Sequence, residues 1–241
     1  LAAALAALPI LNVSAAQAEG EGDPEDGPAQ KRHVVLVNGD IEDRTRTVLA
    51  ALADVNQPPF IFQSTNGLVD VQGGSGSAHV RVLGERTLRA HVVRRLRFMT
   101  EKPVKGGGVE TVLTDLSLEV YRHILARGRW DFPRLEAVVR NPAFMPDGAL
   151  LSQDGYYPDH ALWLDLGGFV VPAVPEAPTD DDVKRARGLL LDHLLVNFPF
   201  ADQGSVAHAV ALALLPFARR LIDGCTPLHL ISAPAPGTGK T

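Results

Sequence analysis

Apolar positions recur along this chain at two periods, and the places where the period changes divide it into segments. Residues 1–18 are apolar and alanine-rich and read as the last helix of a preceding domain. Residues 19–32 are acidic, contain glycine and proline and have almost no apolar side chain, the composition of a solvated linker. His33 to Asn38 is a short β-rich run, and Val48, Leu49, Leu52 and Val55 follow at helical spacing until Pro58-Pro59 stops the helix. Phe60-Ile61-Phe62 and Leu68-Val69-Asp70-Val71 flank Asn66-Gly67, which predicts a hairpin whose turn residues tolerate positive φ. Gly73 to Ser77 is a loop tip, and Val80 to Leu83 adds a third strand.

From Arg86 to Met99 the spacing of Leu88, Val92, Leu96 and Met99 predicts one amphipathic helix. A glycine loop at Lys105 to Gly108 separates it from a second helix over Leu113 to Ala126, ended near Gly128. Leu135 to Val139, Ala149 to Leu151 and Ala161 to Leu164 predict strands, with Pro146-Asp147-Gly148 as a turn. Asp147, Asp154 and Asp159 stand beside Gly, Pro or His, and Asp165 two residues before Gly167; all four read as turn formers, while Trp130 and Trp163 read as core. Residues 33–169 therefore form an α+β accessory domain, and 170–178 a proline-rich connector.

Residues 179–241 follow another plan. Thr179 with Asp182 predicts a capping box opening a helix through Val183, Ala186, Leu190 and Leu194, stopped before Pro199. A second helix begins near Gln203 and runs through Val206, Val210, Leu214 and Phe217, with Pro216 bending or ending it. Gly224 to Pro227 turns the chain into the apolar strand Leu228-His229-Leu230-Ile231.

Composition narrows the function. With 46% hydrophobic and 21% charged residues in 241, the chain has ample material for a core. A net charge of −5 excludes a globally basic nucleic-acid coat. Between Arg81 and Lys105, however, eight Lys/Arg stand against two Glu. Arg86, Arg89, Arg94 and Arg97 of the predicted helix are the candidate DNA contacts, and a solvated helix face is the plainer alternative. The single cysteine, Cys225, excludes an internal disulfide and reads as a small buried residue, and His193, His208 and His229 lack metal-site spacing. Ala16-Gln17-Ala18 resembles a signal-peptidase site, yet no basic segment precedes it, and the apolar run is too short to span a bilayer. No membrane partner and a cytoplasmic location follow. Leu1 in place of Met, and an end inside a motif, read as an internal fragment.

That motif is Pro236-Gly237-Thr238-Gly239-Lys240-Thr241, directly after the apolar strand. In a phosphate loop, backbone N–H groups wrap the β-phosphate, the lysine neutralises β/γ charge and the hydroxyl coordinates Mg²⁺. ATP would then be held by Gly237, Thr238, Gly239, Lys240 and Thr241, with Thr241 as the Mg²⁺ ligand; Pro234 occupies the place of the pattern's first glycine. Catalytic acids are not assignable, so the fragment alone is expected to hydrolyse no ATP.

Pro-Gly-Thr-Gly-Lys-Thr resembles the form favoured by AAA+ and related helicase ATPases. Together with Phe198-Pro199-Phe200, Leu215-Pro216-Phe217, Leu221-Ile222-Asp223-Gly224 and Pro142-Ala143-Phe144-Met145-Pro146-Asp147-Gly148, it makes residues 34–241 similar to primase–helicase-like proteins of phages, plasmids and integrative elements. The resemblance implies an ATP- and Mg²⁺-dependent DNA replication motor that oligomerises when complete. The fold class expected is an α+β accessory region, then a helical lead-in and the first strand of a truncated α/β P-loop ATPase. The competing expectation is a non-enzymatic DNA-binding or regulatory module built on the basic helix.

Overall fold

The computed structural model describes residues 32–232. The predicted N-terminal helix, nearly all of the acidic linker and the loop residues Gly237, Thr238, Gly239, Lys240 and Thr241 lie outside the described residues. In chain order the elements are β1 (His33–Leu36), α1 (Ile41–Asp54), β2 (Phe62–Ser64), β3 (Gly67–Gln72), β4 (His79–Val82), α2 (Glu85–Arg95), β5 (Leu96–Pro103) and β6 (Val109–Thr114). They continue with α3 (Leu118–Ala126), β7 (Ala137–Val139), β8 (Ala143–Phe144), β9 (Leu150–Leu151), β10 (Gly155–Tyr157), β11 (Leu162–Leu164), α4 (Asp180–Gly188) and α5 (Gln203–Ala218). Two compact units result: one takes the chain to Arg140 and then Asp154–Gly168, the other Asn141–Gln153 and the chain from Phe169 on.

The first unit is built on a sheet of order β1-β5-β6, in which β1 runs parallel to β5 and β6 antiparallel to it. Val35, Leu96 and Phe98 on one face join Val48 and Leu52 of α1, Leu88 and Val92 of α2, and Val120 and Ile124 of α3 in the main core. The other face leaves Val34, Leu36 and Leu113 exposed. Asp40 starts α1 by accepting hydrogen bonds from the N–H groups of Glu42 (2.9 Å) and Asp43 (3.0 Å). Trp130 is buried as expected and donates its indole N–H to the carbonyl of Ile124 at 2.8 Å, near the end of α3.

Two small sheets, β2-β3-β4 and β10-β11-β7, make the rest of this unit. Gln63 links them: its N–H donates to Pro133 and its carbonyl accepts from Leu135. Phe62, Val69, Leu135 and Tyr156 form a second core there, with Phe62 and Tyr156 ring centroids 4.9 Å apart. The expected hairpin is present, but its turn sits one residue early: Ser64 pairs with Gly67, and of Thr65, Asn66 and Gly67 only Gly67 has positive φ.

The largest departure from the sequence expectation is the end of the basic helix. Helix α2 stops at Arg95, and Leu96 adopts an extended φ of −114° and ψ of 146°. Leu96 to Pro103 is strand, captured by β1 through the His33–Leu96 and Leu36–Met99 pairs. Leu96 and Met99 continue the helical stripe of Leu88 and Val92, whereas the inward Leu96 and Phe98 alternate with outward Arg97 at strand period. Arg97 therefore lies on β5 and not on the helix. Val109–Thr114 is likewise strand, taking Leu113 out of the predicted helix.

In the second unit, Thr179 caps α4 with both hydrogen bonds of the predicted box to Asp182. Helix α5 starts at Gln203 as expected and continues past Pro216. Neither helix buries a residue fully. The expected strand Leu228–Ile231 is not formed: among the described residues it has no pairing partner, and Leu228 and Leu230 are almost fully exposed. A strand without a neighbour has no ladder to satisfy its N–H and C=O groups. Cys225, following Gly224 at φ +88°, is exposed rather than buried.

Candidate nucleic-acid interface

Within the first unit, α2, the β2–β3 hairpin and β11 border a cleft of about 400 Å³. Its aromatic lining comes from three separated parts of the chain. Phe60 is delivered by the loop after α1, which the buried Asn56 holds in place. Its Oδ1 accepts from the N–H groups of Phe60 (2.9 Å) and Ile61 (3.0 Å), and its Nδ2 donates to the Ile61 carbonyl (2.8 Å). Phe62 comes from β2, and Trp163 from β11, where it meets Phe62 edge to face at 6.2 Å.

The cationic lining is Arg94 and Arg95 at the end of α2, with Arg32 beside them. The Arg95 guanidinium carbon lies 3.4 Å from the Phe60 ring centroid. Burial, and then the charge of Arg94, lower the pKa of Arg95, a penalty that a bound anion relieves.

One carboxylate, Asp70, lines the cleft, and it is already engaged. Its register partner across the hairpin is Arg81, which donates through Nε at 3.0 Å and through Nη2 at 2.5 Å. His91 of α2 approaches Oδ2 with Nε2 at 2.8 Å. An ionised carboxylate only accepts, so Nε2 carries the proton, and the buried Nδ1 has no partner among the described residues. Burial of Asp70 favours its neutral form, but the hydrogen bonds from His91 and Arg81 outweigh that and hold its carboxyl below the usual carboxylate range. With Asp70 neutralised in this way, the cleft presents net positive charge.

The structure disperses the four arginines singled out in the sequence. Arg94 reaches the cleft. Arg89 lies on the opposite flank, near α3: burial raises the pKa of the Tyr121 phenol, and Arg89's charge opposes that rise. Arg86, one turn earlier, shares that flank. Arg97 stands on the open face of the β1-β5-β6 sheet. All four are exposed, and among the described residues none of them, nor Arg95, has a carboxylate partner. Arg122 and Arg127, by contrast, are paired to Glu85 and Glu42.

Sequence reasoning missed Phe60, Trp163, His91 and Arg95. Trp163 is half-buried and lines the cleft as well as packing on Phe62, so it is not simply a core residue. The signal for Arg95 was its place in the basic run; nothing local marks Phe60 or Trp163 as its neighbours. Asp165, expected only as a turn former, is buried and accepts from the N–H groups of Gly76 (2.8 Å), Ala78 (2.8 Å) and Gly167 (3.3 Å). It thereby ties the β3–β4 loop to the end of the strand that bears Trp163.

Among the described residues no cluster of His, Cys, Asp or Glu could hold a metal ion, and no helix is long and apolar enough to cross a membrane. Comparison with protein-family models, curated proteins and solved structures gave no match.

Proposed function

We propose that this chain belongs to a cytoplasmic, ATP-dependent DNA replication motor of a mobile element, in which the first unit makes the contact with nucleic acid. The observation that supports the nucleic-acid role is that Arg86, Arg89, Arg94 and Arg95 of α2 have no carboxylate partner among the described residues, and that Arg94 and Arg95 border a cleft with aromatic walls. The one acid of α2, Glu85, stands four residues before Arg89 yet pairs with Arg122, which leaves these cations ready for phosphate. The ATP role rests on Pro236-Gly237-Thr238-Gly239-Lys240-Thr241, with Lys240 on the β/γ-phosphates and Thr241 on Mg²⁺.

The test is ATP hydrolysis by the native protein with and without DNA. Lys240→Ala should abolish hydrolysis in both conditions. Charge reversal of Arg86, Arg89 and Arg94 should remove only the stimulation by DNA. Hydrolysis unchanged by Lys240→Ala would leave the alternative, a non-enzymatic DNA-binding or regulatory module, which the same arginines favour.

A further inference from the structure

Bases in a duplex are stacked and paired, and a protein reaches only their edges in the grooves. A concave cleft with aromatic walls admits the flat face of a base only from an unpaired strand, where base–aromatic stacking is sequence-tolerant. The cleft on the first unit has the parts such a contact needs. Its volume of about 400 Å³ falls within the usual range for small-ligand pockets. Phe62 meets Trp163 edge to face, at an interplanar angle of 82°, and no other ring contact of Trp163 occurs among the described residues. No protein ring is therefore stacked parallel to the indole. The Phe60 ring, by contrast, is already covered by Arg95. Arg94 is exposed at the cleft and Arg95 half-buried beside it, the arrangement that tracks a phosphodiester backbone past a stacking platform. Asp70 would repel a phosphate if it were bare, but Arg81 and His91 occupy both of its oxygens. A second cleft in the same unit has its tryptophan, Trp130, buried and committed to Ile124, so it offers no comparable platform.

We propose that this cleft is a single-strand site: one unpaired nucleotide of a polynucleotide enters it, with its base on the indole of Trp163 and its flanking phosphates on Arg94 and Arg95. The inference rests on the nucleic-acid reading above and narrows it from nucleic acid in general to single strands.

Fluorescence anisotropy of the 241-residue protein tests it with four probes: oligothymidylate and oligouridylate of about 20 nucleotides, a duplex of equal length, and thymidine monophosphate as competitor. Either single strand should bind at least about tenfold more tightly than the duplex, and the mononucleotide should compete only at far higher concentration. The thymidylate and uridylate arms report whether the cleft prefers a DNA or an RNA strand, through the 2′-hydroxyl and the thymine methyl together. Trp163→Ala should weaken strand binding about tenfold and leave duplex binding unchanged, while Trp163→Phe, which keeps a stacking face, retains most of the affinity. Because Trp163 also packs on Phe62, thermal unfolding is recorded for each variant. Arg94→Glu, at an exposed position, supplies an independent loss of about tenfold in strand affinity. Equal affinity for strand and duplex overturns the single-strand site, as does undiminished strand binding by a folded Trp163→Ala protein or mononucleotide affinity equal to that of the strand. If strand and duplex bind equally and both fail on reversing Arg86, Arg89 and Arg94, the wider nucleic-acid reading survives without the cleft. If neither binds, both fall.

Discussion

His91 of α2 and Asp70 of β3 meet at 2.8 Å, Nε2 to Oδ2, and make the carboxylate a clamp between the helix and the hairpin. The Asp70 side chain is only 2% exposed, whereas Arg81 on its other side keeps 39%. Asp70→Asn should cost about 2–3 kcal/mol, below the figure for removing one partner of a fully buried pair, because solvent screens Arg81. The unfolding midpoint by circular dichroism reports it. An unchanged midpoint would show that the clamp contributes nothing.

Acid should open the same clamp. For Asp70 and Asp165 alike, burial raises the pKa, but hydrogen bonds (from His91 and Arg81, and from the backbone of Gly76, Ala78 and Gly167) bring the folded value below 3.8. A depressed folded value means that this stabilisation is complete above 3.8 and is lost as pH falls through the folded value. Denaturant midpoints should be flat in this respect from neutrality down to about 3.8, and fall as the pH drops from there through the folded value. The Asp70→Asn protein should show a shallower acid decline than the parent; an identical acid limb would assign the loss to other carboxylates.

Gly167 and Gly76 pass backbone to backbone where Asp165 ties the loop down. A Cβ on Gly167, at φ +66°, would stand 3.1 Å from the Cα and 3.2 Å from the nitrogen of Gly76. Gly167→Ala should therefore destabilise by about 1–2 kcal/mol, through both the left-handed backbone and the crowding. Limited proteolysis should also cut the loop at 73–77 faster. Gly74→Ala is the control, since nothing lies within 4 Å of a Cβ there and its φ is ordinary.

The scatter of the arginines predicts unequal effects. Arg94→Glu should weaken strand binding more than Arg86→Glu, Arg89→Glu or Arg97→Glu, because of these four only Arg94 borders the cleft. Each phosphate contact removed should flatten the logarithmic salt slope by about 0.7 for a single strand. Equal losses at all four positions would point to a diffuse electrostatic surface.

Local chemistry was readable and long-range chemistry was not. The Thr179–Asp182 cap, the hairpin around Asn66-Gly67 and the basic run each depend on residues within a few positions of one another. Strand β5 was hidden because Leu96 fits a helical period with Met99 and a strand period with Phe98, and only its pairing with β1, more than sixty residues earlier, selects the strand. The partners of Arg95 stayed invisible for the same reason. Phe60 precedes it by a loop and a hairpin, and Trp163 follows it by most of a domain. The charge of the cleft was written in one stretch of sequence; its aromatic half is assembled only by folding.

That assembly has a timetable. Gly76 and its acceptor Asp165 are separated by 89 positions, and Trp163 emerges just before Asp165. At ordinary translation rates the ribosome needs roughly 4–18 seconds to make that stretch. Helix α1 precedes the interval and α2 and α3 are made within it, while Phe62 and Val69 of the hairpin wait for Leu135 and then Tyr156. The nascent chain thus passes through a period in which its arginines are in place but the binding platform does not yet exist, and the hairpin's apolar side is what a chaperone would meet.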